Sequence, residues 1–268
     1  MNLIPVGSRR VGTPLVAVLA LSATLLAAAP AALAQTPDAR AVLKAMTSYV
    51  ASQKSIELTF DSDIEIITPQ LEKIQFASSG EMLLSRPDKL RAHRVGGFAD
   101  VALIYDGKTV SVFGKNLDAY TQFPLVGDID KLVASLRAGH GVAVPGVDLL
   151  LTNSYETLMA GVIEAKHLGQ GVIDGVECEH LAFRNIETDW QLWVESGKNL
   201  VPRKMVVTSK TVNSAPQYTV RIKSWKTDVK PSPGAFVFVP SSKARKLGPN
   251  ELVLLDELPQ GAPAGDKK

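Results

Sequence analysis

Apolar residues recur along the chain at two spacings, one typical of a helix and one typical of strands. Between Asp38 and Gln53 the spacing is helical and follows Thr36-Pro37, which suits a helix start. The predicted apolar stripe of this N-terminal helix is Ala41, Val42, Ala45, Met46, Tyr49 and Val50. From Ile56 to Ile66 apolar and polar residues alternate instead, which predicts a strand with one buried face and favours antiparallel pairing.

The same alternation returns in a series of later segments that are separated by turn signals. Asp106-Gly107, Asp174-Gly175 and Ser196-Gly197 lie between such segments and are typical of hairpin turns. We interpret the whole run Gly169 to Gly175 as a hairpin turn. The predicted strands are Ile74 to Leu84, Lys89 to Val95, Val101 to Tyr105, Thr109 to Phe113, Val162 to Leu168, Val176 to Arg184, Trp190 to Glu195, Arg203 to Thr211 and Gln217 to Thr227.

Two helical segments interrupt the strands. Asp128 can cap the first, which has an apolar stripe of Ile129, Leu132, Val133 and Leu136 and ends at Gly139-His140-Gly141, a possible hinge. The second is predicted from Asp148 to Met159. A sheet of about 10–11 strands has to curl to bury its apolar face. The sequence therefore predicts an α+β, mainly β fold: an unclosed antiparallel β-barrel with an N-terminal helix and a helical lid insertion over its concave side.

The first 34 residues have the pattern of a secretory signal. Arg9 and Arg10 precede an apolar run from Leu15 to Ala29, and Ala32-Leu33-Ala34 predicts cleavage before Gln35. An uncleaved membrane anchor is the alternative, although the run is shorter than the roughly 20 apolar residues of a span. Because Gln35 stands where lipid attachment needs a Cys, we expect a soluble periplasmic protein. It would have one domain from residue 35 to 259 and a disordered tail from 260 to 268.

The charge balance argues against a nucleic-acid partner. The predicted signal contains two Arg and no acid, so the 29 Lys and Arg of the chain become 27, equal to the 27 Asp and Glu. A neutral domain lacks the basic surface of a nucleic-acid binder. The single Cys178 excludes an internal disulfide, so stability has to come from a packed core.

Catalytic and metal-binding patterns are poor. No zinc motif joins the scattered His93, His140, His167 and His180. Cys178 and His180 share one face of a predicted strand, but two ligands do not make a metal site. The acidic stripe of Asp61, Asp63 and Glu65 is typical of the solvated face of a strand. We therefore expect neither an enzyme nor a cofactor or metal.

Four segments carry a resemblance to a known family: Arg86-Pro87-Asp88-Lys89-Leu90-Arg91, Tyr105-Asp106-Gly107-Lys108-Thr109, Asp189-Trp190-Gln191-Leu192-Trp193 and Pro202-Arg203-Lys204. They resemble the periplasmic LolA/LolB-like proteins, in an uncharacterised branch of that superfamily. The resemblance implies an apolar half-barrel covered by helices, which LolA uses to carry lipoprotein acyl chains and LolB to receive them. Other relatives act as envelope-stress sensors or handle glycolipids. Only 6% of this chain is aromatic, whereas LolA cavities are rich in aromatic residues.

The alternation of the strands and the resemblance together define a candidate site. The predicted wall of an apolar cavity is Phe60, Ile64, Phe76, Met82, Leu84, Leu103, Tyr105, Trp190 and Leu192. By the resemblance, Arg86 matches the residue that holds the lid shut in LolA; otherwise it is a solvated loop residue. The lid helices would contribute Ile129, Leu132, Val133, Leu136, Leu149 and Leu150, either as fixed packing elements or as a movable cover.

Two functions fit these features. The first is a lipophile-binding carrier or chaperone for acyl chains of lipoproteins or lipids. The alternative is an envelope sensory or protein-interaction module that carries no lipid. The expected partners are an acyl chain or other lipophile and an envelope protein as donor or acceptor, without nucleic acid and without stable membrane insertion.

Overall fold

The computed structural model describes residues 38–140 and 146–248. The predicted signal, the C-terminal tail and Gly141 of the predicted hinge lie outside the described residues. No helix within the described ranges is long and apolar enough to cross a membrane.

The described part of the chain begins with one helix, α1 (Ala39–Ser52), and consists mainly of strands. The Asp38 side chain caps α1 by accepting a hydrogen bond from the Arg40 amide at 3.1 Å. The strands are β1 (Ser55–Ile67), β2 (Lys73–Ser85), β3 (Lys89–Gly96), β4 (Asp100–Tyr105), β5 (Thr109–Gly114), β6 (Ala119–Pro124), β7 (Glu164–Ile173), β8 (Val176–Arg184), β9 (Thr188–Glu195), β10 (Pro202–Ser209), β11 (Gln217–Thr227) and β12 (Arg245–Lys246).

The twelve strands of the described residues form one sheet, in the order β12-β6-β5-β4-β3-β2-β1-β11-β10-β9-β8-β7. Neighbouring strands are antiparallel, except that β12 runs parallel to β6. Within the described residues the end strands β12 and β7 do not pair, so the barrel is unclosed. The predicted fold class is confirmed, but two strands, β6 and β12, were not predicted from the sequence. The two-residue β12 is too short to show an alternating pattern.

One predicted turn is wrong. The run Gly169 to Gly175 is not a turn throughout, because β7 shifts register between His167 and Gly169 and continues to Ile173. Gly169 permits this irregularity with a φ of 100°. Only Asp174 and Gly175 form the turn, with φ values of 50° and 81°.

Helices cover one side of the sheet. Helix α2 (Ile129–His140) is capped by Asp128, whose side chain accepts a hydrogen bond from the Lys131 amide at 2.8 Å. The second predicted helix is wrong as a single element, since it is divided into a 3₁₀ helix (Val147–Leu150) and α3 (Ser154–Met159). The break lies at Thr152, whose amide and hydroxyl both donate to the Asp130 side chain of α2.

A segment that follows β11 covers part of the opposite, convex face. Phe238 packs against Phe113 and Tyr120, with ring centroids 5.8 and 5.4 Å apart. The Arg245 amide then donates to the Asp118 carbonyl at 2.8 Å, which starts β12. Ile104 on β4 is also buried on this face.

A side chain at Gly107 in the β4–β5 turn should destabilise the protein. Its φ is 94°, and an added Cβ would lie 2.5 Å from the Asp88 Oδ2. We expect Gly107→Ala to lower the free energy of unfolding by about 1–2 kcal/mol, measured by urea denaturation. Gly97→Ala is the matched control, because an added Cβ there meets nothing within 4 Å. Equal stability of the two variants would contradict the prediction.

Candidate functional site

The strand register places all nine predicted wall residues on one face of the sheet, the concave face covered by the helices. On β1 and β2, Ile64 pairs with Phe76 and Phe60 pairs with Gly80. Ala92 of β3 links Met82 to Leu103 of β4. The same face continues through Tyr218 and Val207 to Trp190 on the far side of β1.

The nine residues divide into two groups by burial. Leu84, Tyr105 and Leu192 are fully buried, and Trp190 is 5% exposed, so these four belong to the packed core. Phe60, Ile64, Phe76, Met82 and Leu103 are only half-buried. Together with the half-buried Val101 and Tyr218, these five form a surface that we name the concave patch. A ligand could contact the patch directly, but could reach the other four only after the helices move.

Phe60 shapes the middle of the concave patch. A Cβ on Gly80 would lie 2.4 Å from the Phe60 Cζ and 2.7 Å from the His93 carbonyl oxygen, so the ring lies directly over the glycine. Gly80 therefore makes room for the end of an aromatic ring close to the sheet, in the manner of a cross-strand aromatic that covers a glycine. The result is a shallow apolar surface.

The predicted cover residues lie in the core between the helices and the sheet. Each of the six is at least nine-tenths buried and belongs to the same cluster as Leu84 and Leu192: Ile129, Leu132, Val133, Leu136, Leu149 and Leu150. The Tyr105 hydroxyl donates to the carbonyls of Leu125 and Gly127 at 3.2 and 2.7 Å, which fixes the segment that leads into α2. Burial raises the pKa of Tyr105, so the hydroxyl keeps its proton as a donor.

Arg86 connects the sheet to two parts of the helical layer. Its Nε donates to the Gln53 carbonyl at the end of α1 at 3.2 Å, and its Nη2 donates to the Leu150 carbonyl at 2.7 Å. Burial lowers the pKa of Arg86, and the charge of Asp130 acts in the opposite direction. Next to it, the Pro87 carbonyl accepts a hydrogen bond from the Ile129 amide at 3.0 Å. These are the contacts that the latch hypothesis requires.

A cavity of about 20 Å³ lies at the end of the concave patch. Its wall includes Ile64, Phe76, Ser78, Arg94, Gly96 and Phe98. Such a volume holds about one water molecule and cannot enclose an acyl chain. At this end of the sheet an acyl chain could therefore contact only the open patch and not the interior of this cavity.

A polar pair on β7 and β8 was missed in the sequence. The His167 Nε2 and Glu179 Oε2 lie 2.6 Å apart on the concave face. Burial opposes ionisation of Glu179, but hydrogen bonds from His167, Ser196 and Gln170 outweigh it and hold the pKa of Glu179 below its ordinary value. The alternation of β7 is interrupted by its irregularity after His167, so no clear pattern in the sequence indicated that the two side chains share a face.

The other sequence candidates for chemistry lie apart. His93 pairs with Asp100 at 2.7 Å, while His180 stacks on Trp193 with centroids 4.1 Å apart. Burial raises the pKa of the Cys178 thiol. Among the residues that the structure describes, no three His, Cys, Asp or Glu side chains are grouped to hold a metal ion.

The sequence matches a known protein family over most of the chain. The model of the family described as "Predicted periplasmic protein (DUF2092)" matches residues 39–248. The chain belongs to this family. The match spans the strands and helices described above. The DUF2092 family is described as periplasmic, which agrees with the localisation predicted from the sequence. No curated protein sequence matches the chain.

Several solved structures are similar to this DUF2092 protein. One is an uncharacterised conserved protein from Thermus thermophilus, at 8% identity over 78% of this chain and 98% of that chain, with a TM-score of 0.47. Another is the MucA/MucB complex of Pseudomonas aeruginosa, at 12% identity over 75% and 61%, with a TM-score of 0.43. A LolA superfamily protein from Nitrosomonas europaea has 14% identity over 73% and 96%, with a TM-score of 0.31.

Proposed function

We propose that the protein binds the acyl chain of a lipid or lipoprotein on the concave patch and shields it from the aqueous periplasm. The observation that carries this proposal is the patch itself. Its apolar side chains are half-exposed, lie on one continuous face and span adjacent strands from β4 to β11. Binding of this kind needs no catalytic group.

The energy available fits a reversible carrier. Each buried methylene contributes about 0.8 kcal/mol, so a chain that buries about ten gains on the order of 8 kcal/mol. Ordering the chain and losing its free motion reduce this gain. The expected dissociation constant is therefore micromolar or weaker, which allows release to an acceptor.

The helical cover would control how far the chain can enter. Arg86 holds the C-terminal end of α1 and the Val147–Leu150 helix through two carbonyls. Breaking these bonds would let the cover move and would expose Leu84 and Leu192 beneath it. A ligand that binds the open form better than the closed form would shift the population toward it. Arg86 acts as the latch in this proposal.

A second candidate function rests on the edge strand β7. Within the described residues β7 pairs only with β8, and it carries Leu168 and Val172, which are 51% and 65% exposed. An unpaired edge with exposed apolar side chains is the kind of surface to which a partner strand adds. The protein would then be an envelope interaction module.

Titration with dodecan-1-ol tests the first function against the second. In protein purified from the periplasm, Phe76→Asp should weaken binding at least about tenfold, because a carboxylate in the patch loses hydration when the chain covers it. Leu168→Asp on the β7 edge is the matched control and should leave the affinity unchanged. Urea denaturation of both variants separates lost binding from lost folding. If only Leu168→Asp binds dodecan-1-ol more weakly than the wild type, the ligand lies at the β7 edge and the proposal is contradicted.

A further inference from the structure

One charged residue lies among the inward-facing positions of β1 to β6. Read from the strand register, these positions are otherwise apolar, Gly, Ser or Thr. The exception is Arg94 on β3, which lies directly between Gly80 of β2 and Val101 of β4. Since Gly80 is the residue covered by the Phe60 ring, Arg94 belongs to the same face as the concave patch.

The surroundings of Arg94 leave room for a small polar group. The Phe60 ring fills the space over Gly80 on one side of Arg94, but Gly96, two residues further along β3, adds no side chain. Arg94 is half-buried and lines the cavity of about 20 Å³ together with Ser78 and Gly96. That volume is close to the size of one water molecule, and it would admit one oxygen of a headgroup.

The chemistry of this position favours an anion attached to an apolar chain. A guanidinium offers a planar fork of donors that matches phosphate or carboxylate oxygens, and such charge-assisted hydrogen bonds are stronger than neutral ones. Apolar patch residues begin beside it, with Val101 opposite and with Met82 and Leu103 two residues further along their strands. Two residues along a strand span about 6.7 Å, so a chain attached to a headgroup at Arg94 would reach the patch at once.

We propose that Arg94 binds the anionic headgroup, such as a phosphate, of a lipid whose acyl chain lies on the concave patch. This inference rests on the proposed lipid-binding function and adds the charge of the ligand. Arg86 and Arg94 have different roles in this proposal. Arg86 donates to carbonyls of the helical layer, and Arg94 binds the ligand.

The test is calorimetric titration of protein purified from the periplasm with dodecyl phosphate, dodecan-1-ol and inorganic phosphate. The wild type should prefer dodecyl phosphate over dodecan-1-ol by about tenfold or more, the range of hydrogen bonds to charged groups. Arg94→Met should remove this preference, and binding of dodecan-1-ol by the variant shows that it is folded. Arg94→Lys should keep part of it, since it retains the charge and loses the fork.

Arg91→Met is the matched control, because Arg91 is exposed on the opposite face of β3 and contacts the Ala235 carbonyl at 3.4 Å. It should behave as the wild type. Equal binding of dodecyl phosphate and dodecan-1-ol by the wild type, or a preference that survives Arg94→Met, would overturn the headgroup site and leave the lipid-binding function standing. If inorganic phosphate binds as tightly as dodecyl phosphate, Arg94 is a site for a free anion and not for a lipid headgroup. If no amphiphile binds, the proposed function fails and the headgroup site fails with it.

Discussion

Arg86→Met should lower the free energy of unfolding by about 2–4 kcal/mol and loosen the helical cover. The substitution removes both charged hydrogen bonds and leaves the carbonyls of Gln53 and Leu150 without this donor. Urea denaturation measures the loss of stability. Hydrogen exchange should show faster exchange of amides at the C-terminal end of α1 and in the Val147–Leu150 helix, because these two elements lose their side-chain connection to the β2–β3 turn.

The control for this prediction is Arg91→Met, which removes an exposed arginine with one long contact to the Ala235 carbonyl. Its free energy of unfolding should stay within about 0.5 kcal/mol of the wild type. If Arg86→Met is as stable as Arg91→Met and exchange in the cover is unchanged, Arg86 is a solvated loop residue and not a latch.

Leu192→Ala and Leu103→Ala should separate the packed core from the concave patch. Leu192 is fully buried, so its truncation should cost about 2–5 kcal/mol of unfolding free energy. Leu103 is half-buried on the patch, so its truncation should cost only about 1 kcal/mol. The effect on dodecan-1-ol binding should be the reverse, about fivefold weaker for Leu103→Ala and nearly unchanged for Leu192→Ala.

The two measurements are urea denaturation and calorimetric titration on the same protein samples. A Leu192→Ala variant that folds with wild-type stability and binds dodecan-1-ol more weakly than Leu103→Ala would contradict this division. It would place the ligand under the helices, among the four residues that the structure shows as core.

The faces of the strands could be predicted from the sequence, because alternation is a local property. All nine predicted wall residues share the concave face for this reason. Which of them the helices bury could not be predicted, since that depends on where α1 and the 3₁₀ helix lie after folding. Tyr105 and Leu103 are neighbours on β4, yet only Tyr105 is fully buried.

The stripe of α1 shows a second limit. Helical spacing alone favoured Ala41 and Ala45, but both are exposed, and the buried face is formed by Leu43, Met46 and Val50. Small alanines add little apolar area, so the larger Leu43 determines which face is buried.

Contacts between residues that are distant in the sequence cause the other differences between the predicted and the observed structure. The break at Thr152 depends on Asp130 of another helix, and the segment around Phe238 packs on the convex face without any alternating pattern of its own. Arg94, by contrast, could have been found, because it follows Leu90 and Ala92 at the strand period.

Native mass spectrometry with lipid extraction, on protein purified from its own periplasm, tests the lipid-binding function most directly. Arg86→Met, measured alongside, shows whether the state of the cover changes the amount of lipid that remains bound. We expect a bound lipophile in the wild type, and extraction would identify its headgroup. A mass without ligand in both proteins across conditions would contradict lipid binding and favour the interaction surface on β7.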